Sequence, residues 1–365
     1  MAFFAWALAV ILAAQAGAVA ARLPGLHLFP RSLPRALAVI PALLSLGSGY
    51  QGYLAGNPGL SVAGALVGLF LALLLPAIRP LDPDRELLAR ATPLEIAGHA
   101  DAGTQVLRPA APPRAVVLVC HGGGNDRTFA LWQVVPRLLE RGFAVVLFHL
   151  AGHGKGGSDL LDLASFRARF DVIREAAARE VSAPLVALGQ SMGGALVLDA
   201  IARGVPLDGA VTVSAISRLK LGWRVLRELG MVLHRPAWNA ARHSSILRLL
   251  PLPGSGNRRR FPVRVEGDDH LAVFDAILRA LDLEHRLADA RVAYPLLLVH
   301  GTEDAIVPVE QGRALATALG PSRAEYLELA GRHHLDPLFD DALIDRIADF
   351  VDGCAARRAG APANP

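Results

Sequence analysis

From about residue 90 onward the chain repeats one pattern: a short, unbroken apolar run, then a helix-like stretch. The runs are AVVLVCHG (115–122), FAVVLFHL (143–150), PLVALGQ (184–190), LDGAVTVSA (207–215), YPLLLVHG (294–301) and AEYLELAG (324–331). The helix-like segments lie near 128–141, 164–179, 192–203, 310–319 and 341–352. A strand with one wet face alternates apolar and polar residues, so strands apolar throughout must be covered on both faces. Such strands alternating with helices predict an α/β fold, a mostly parallel sheet with helices on both sides. In sheets of this kind chemistry collects beyond the carboxyl ends of the strands.

The segment before residue 80 follows another rule. The chain is 53% hydrophobic with a mean hydropathy of +0.37, and the excess sits near the N-terminus. Residues 2–21, AFFAWALAVILAAQAGAVAA, carry no charge, and neither do residues 36–78, which GNPG (56–59) interrupts. Each piece is about long enough to cross a bilayer. The expectation is an N-terminal transmembrane region, residues 1–80, with three spans near 2–21, 36–56 and 59–78. A cleaved signal peptide at 1–21 is the alternative, but no Lys or Arg forms a positive n-region. With three spans, Arg22, Arg31 and Arg35 share a side with the chain after Arg79, which positive-inside counting makes cytoplasmic. The expectation is a multi-pass membrane protein with its large domain in the cytoplasm. GxxxG spacing at Gly52/Gly56 and Gly64/Gly68 suits packing within a hairpin.

The net charge of +4 is dispersed apart from Arg258–Arg260, so no nucleic-acid footprint is expected. Cys120 and Cys354 imply no disulfide framework, and Cys120 falls in an apolar run as a small buried hydrophobe.

GQSMGG (189–194) directly follows a strand and opens the helical run MGGALVLDAIARG. Alone, G-x-S-x-G is a glycine turn that arises by chance. Between strand and helix it is the pattern of a nucleophile elbow, which exposes Ser191 at the top of the sheet. A serine hydroxyl needs a base to take its proton. The expected chain order is serine, acid, histidine. HGTEDAIVP places Asp304 just past a strand end, and LAGRHHLDP follows after one more helix and strand. Asp304 could be only a turn or cap residue and the histidine an ordinary loop residue; all three coinciding in order is harder to explain that way.

Together HGGGN (121–125), HLAGHGKGGS (149–158), GQSMGG, HGTEDAIVP and GRHH resemble the α/β-hydrolase superfamily from about residue 90 to 353, most closely its monoacylglycerol lipase and lysophospholipase-like branch. By matching position the resemblance implies Ser191 as nucleophile, His333 as general base and then acid, and Asp304 as the group that orients the imidazolium. His334 competes with His333, and Glu303 more weakly with Asp304. It implies two oxyanion donors, the backbone N–H groups of Gly123 and Met192, and makes His153 a structural loop residue. Two departures stand out: His149-Leu150-Ala151 where the family often has an Asp, and Arg332 where it commonly has Gly before the histidine.

The implied domain spans 86–353 with a helical cap insertion at 216–292, leaving 354–365 as a disordered tail. The insertion mixes apolar and basic residues, as in SRLKLGWRVLRELGMVLHR, which suits either an anionic lipid surface or a lid with a solvated face. No cofactor and no metal site is expected. The reading is a membrane-anchored serine hydrolase of carboxylic esters, of monoacylglycerol or lysophospholipid type. A thioesterase, an amidase or peptidase and an acyltransferase share its acyl-enzyme; a scaffold that kept only the fold is the non-catalytic alternative.

Overall fold

In the computed structural model the apolar runs lie side by side in one eight-stranded sheet, in the order Thr92–Pro93, Gln105–Leu107, Phe143–Leu147, Ala115–Cys120, Leu185–Gln190, Gly209–Val213, Leu296–Gly301 and Glu325–Leu329. The described residues are 56, 85–99, 102–124, 127, 134–154, 159–181, 183–220, 263–267 and 269–360. All but the first belong to one unit, Pro83–Val225 with Arg259–Pro365. The three predicted spans, Gly56 apart, lie outside the described residues, as does most of the cap, 221–262. Among the described residues no helix is long and apolar enough to cross a membrane.

Six strands are β3 (Ala115–Cys120), β4 (Phe143–Leu147), β5 (Leu185–Gln190), β6 (Gly209–Val213), β7 (Leu296–Gly301) and β8 (Glu325–Leu329), parallel to one another wherever they pair. Every residue of β3 to β7 is buried, whereas β8, at the sheet's edge, is half open. This is the burial that unbroken apolar runs require, and each Val or Leu so enclosed contributes roughly 1.5–3 kcal/mol. The opposite edge departs from the sequence expectation. Two short strands, β1 (Thr92–Pro93) and β2 (Gln105–Leu107), extend the sheet antiparallel from β4. They are too short to show a periodicity.

Around the sheet lie α1 (Arg85–Ala89), α2 (Val135–Glu140), α3 (Leu163–Glu180), α4 (Met192–Ala202), α7 (Val309–Leu319) and α8 (Asp341–Gly360), with α5 (His270–Leu281) and α6 (Leu283–Asp289) inside the insertion. Asp162 caps α3 reciprocally with Ser165, which fixes its start and contributes about 1 kcal/mol. At the far end the chain does not become a tail at 354. It stays helical to Gly360, because Val351, Cys354 and Ala355 are buried against the domain.

Both described ends of the insertion are stitched to the sheet domain. At its start, Gln311 of α7 accepts the N–H groups of Ser217 and Arg218 and donates to the Arg218 carbonyl. At its return, Arg264 donates to the carbonyls of His153, Gly154 and Asp159 and to the Asp159 carboxylate. The buried Phe274, Ile277, Leu278 and Leu281 form the inward face of α5 at helical spacing. Phe274 thereby comes to rest against the HGGGN loop: a Cβ on Gly123 would meet its ring at 3.3 Å.

Candidate active site

Strand β5 ends at Gln190 and helix α4 begins at Met192, so Ser191 must turn the chain within one residue. It does so at φ 53° and ψ −114°, a left-handed conformation that costs a residue with a Cβ on the order of 1–3 kcal/mol. The flanking glycines make that turn possible. A Cβ on Gly193 would lie 2.1 Å from the Cys120 carbonyl oxygen, and one on Gly189 2.4 Å from that of Gly193. The N–H of Ser191 donates to the Val213 carbonyl across the sheet, which fixes the elbow on β6.

Asp304 follows β7 and is buried, and each of its carboxylate oxygens is engaged. Oδ1 accepts the N–H groups of Ile306 at 3.0 Å and Val307 at 2.8 Å. Oδ2 lies 2.8 Å from Nδ1 of His334 and 3.4 Å from Nε2 of His300. Burial alone would raise the Asp304 pKa. The two histidines outweigh it and hold the carboxyl below the usual carboxylate range.

The histidine that meets Asp304 is therefore His334, which corrects the expectation of His333. Two bonds made by backbone N–H groups give the reason. The Arg332 carbonyl accepts the Glu303 N–H at 2.9 Å, and the His333 N–H donates to Asp336 at 2.9 Å. These anchor the loop in the register that turns His334 inward, and His333 is buried elsewhere in the same loop. Glu303, the weaker competitor of Asp304, contributes here through its backbone. Arg332, the departure from the family pattern, pairs with Asp340.

On its other side, Nε2 of His334 lies 3.1 Å from the side-chain amide of Gln190, the residue just before Ser191. Since Nδ1 must carry the proton that faces the carboxylate, Nε2 of a neutral ring is an acceptor and the Gln190 N–H is its donor. Gln190, like His300, has no signal in the sequence as a site residue. Each is a buried polar partner defined by what the fold brings next to it.

Gly123 and Met192, the expected oxyanion donors, come together. A Cβ on Gly123 would stand 3.5 Å from that of Met192, the residue that opens α4. The loop carrying Gly123 is shaped by two buried histidines. His153 donates from Nδ1 to the Ala151 carbonyl and accepts the Gly124 N–H on Nε2. His121 donates to the Gly122 carbonyl and accepts the Leu150 N–H. Burial first, and the neighbouring His121 next, push the His153 pKa down to about 3, so it stays neutral as a scaffold for the loop. Among the described residues no group of His, Cys, Asp or Glu could hold a metal ion.

A mostly parallel sheet with helices on both faces and a strained serine at the end of a central strand defines the α/β-hydrolase fold. The chain belongs to the Hydrolase_4 family, described as serine aminopeptidase, S33, whose model matches residues 111–339. It is 26% identical over 253 residues to the uncharacterized protein YfhR of Escherichia coli strain K12, covering 67% of this chain and 72% of that one. Among solved structures it resembles a soluble variant of the monoglyceride lipase of Saccharomyces cerevisiae in complex with a substrate analog, at TM-score 0.54 and 16% identity, over 75% of this chain and 99% of that one. It also resembles a highly thermostable carboxyl esterase of Bacillus coagulans in complex with glycerol, at TM-score 0.52 and 15% identity, over 73% and 98% of the two chains.

Proposed function

We propose that this chain is a membrane-tethered serine hydrolase that cleaves carboxylic esters of lipid type through an acyl-enzyme on Ser191. The observation that carries the reading is the buried 2.8 Å contact between Asp304 and His334, whose ring lies 3.1 Å from the amide of Gln190, the residue before the strained Ser191. In the proposed reaction His334 takes the Ser191 proton as the oxygen attacks the ester carbonyl, and Asp304 stabilises the imidazolium. The carbonyl oxygen becomes an oxyanion facing the N–H groups of Gly123 and Met192, each such donor being worth about 10²–10³ in rate. His334 then returns the proton to the leaving alcohol. Water repeats the sequence to release the acid.

The ester preference draws on the monoglyceride lipase and carboxyl esterase among the structural neighbours. It draws as well on the apolar Phe274 that the cap sets over the oxyanion loop. The family's description favours a second reading, hydrolysis of an amide. A series of p-nitrophenyl esters of graded chain length, run beside aminoacyl anilides, separates the two. Turnover of esters but not anilides, lost in Ser191→Ala, is the expected result; preferential anilide cleavage would overturn the ester assignment.

A further inference from the structure

The triad explains Asp304, His334 and Ser191, but not why a buried glutamine, 1% exposed, aims its amide at the imidazole nitrogen that has to accept the serine proton. We propose that Gln190 is a positioning residue for the base: its side-chain N–H donates to Nε2 of His334, fixes the tautomer whose Nδ1–H faces Asp304, and holds the resting ring unprotonated until the Ser191 hydroxyl replaces it. The inference rests on the triad reading above.

The argument is one of hydrogen-bond capacity. A neutral imidazole has one N–H and one lone pair. Asp304 accepts at Oδ2 the bond from Nδ1, so the lone pair is on Nε2, where Gln190 stands at 3.1 Å. A donor on that lone pair stabilises the neutral ring and competes with protonation. The lone pair serves one strong donor at a time. Transfer of the Ser191 proton to Nε2 therefore requires the Gln190 amide to yield, and its return after deacylation restores the resting ring. Gln190 closes β5 and Ser191 is the next residue, so donor and nucleophile share the elbow's geometry.

Several ionisable groups stand near His334 among the described residues. Asp304 meets its Nδ1, and His300 of β7 approaches the same carboxylate. In its own loop stand His333, whose N–H Asp336 holds, and Arg332, paired with Asp340. None of them is changed by a substitution at Gln190, so a displaced pH dependence reports on the Gln190 contact.

The test is the pH dependence of fluorophosphonate labelling of Ser191 in the full chain, for wild type, Gln190→Met and Gln190→Glu. Loss of the donor in Gln190→Met moves the acidic limb of the labelling rate to higher pH by about half a unit to one unit. A carboxylate at this place favours the imidazolium, so Gln190→Glu moves the limb further, by about one to three units. A residue that only filled space would leave the limb where it is. Should Gln190→Met not fold, Gln190→Leu, which also removes the donor without adding a charge, carries the test in its place. Limbs that coincide with wild type in the folded variants overturn the role of Gln190. Ser191→Ala and His334→Ala are labelled in parallel: labelling that survives in either overturns the triad and the Gln190 inference together, whereas its loss in both beside unmoved limbs overturns Gln190 alone.

Discussion

In the loop after β8, two adjacent histidines are told apart by their backbones. The bonds from Glu303 to the Arg332 carbonyl and from His333 to Asp336 fix the register, and His334 is the side chain delivered to Asp304. The consequence is a sharp difference between two neighbouring substitutions. His334→Ala lowers ester turnover by about 10⁴-fold or more, the cost of removing a triad base. His333→Ala stays within about tenfold of wild type, equivalent to no more than about 1.4 kcal/mol. Steady-state kinetics on one ester, with thermal melts to confirm folding, reads the difference. The reverse ranking would return the base to His333 and leave the Asp304 contact without a catalytic part.

Among the elements, α3, α4 and α6 meet at a single buried carboxylate. Asp199 of α4 accepts from Arg167 of α3, from Arg203 just past the end of α4 and from Arg286 of α6, so one acid ties the domain to the cap's last helix. Burial alone would raise its pKa; Arg167 and Arg286 outweigh that and hold it below the usual range. With the folded value depressed, its stabilisation is complete above the unfolded carboxylate pKa of about 3.9 and is lost as pH falls through the folded value. Asp199→Asn removes the carboxylate that Arg167, Arg203 and Arg286 share, of which, among the described residues, Arg203 alone keeps a second one, Asp171, and costs about 3–5 kcal/mol at neutral pH. Urea melts of the two proteins check this, and their difference narrows as the pH is lowered. Unequal burial also explains what the sequence disclosed. Strands β3 to β8 were legible because each is an apolar run, and the elbow because glycine spacing is local. Strands β1 and β2 were not, being too short for a pattern. The last turns of α8 were missed because GCAARRAG reads as a tail, although Cys354 packs inward. The Asp199 cluster, Gln190 and His300 were invisible for a common reason: a buried polar residue is defined by partners far away in the chain.

At the scale of the whole chain, a hydrolase domain follows an N-terminal stretch in which residues 2–21 and 36–78 carry no charge. We infer that this stretch anchors the enzyme in a bilayer, which would suit a lipid-like ester as substrate. The fold supplies a strained serine, a buried acid–imidazole pair and a glycine loop held by two buried histidines; the anchor would keep them at the membrane surface. The central claim is that Ser191 is an activated nucleophile in a membrane-held chain. Its most direct measurement is fluorophosphonate labelling of the full chain in carbonate-washed membranes, beside Ser191→Ala and His334→Ala. The prediction is a labelled wild-type band that stays with the membrane pellet and is absent from both variants. A wild type that takes no label in membranes or detergent, or label that persists in Ser191→Ala, would contradict it.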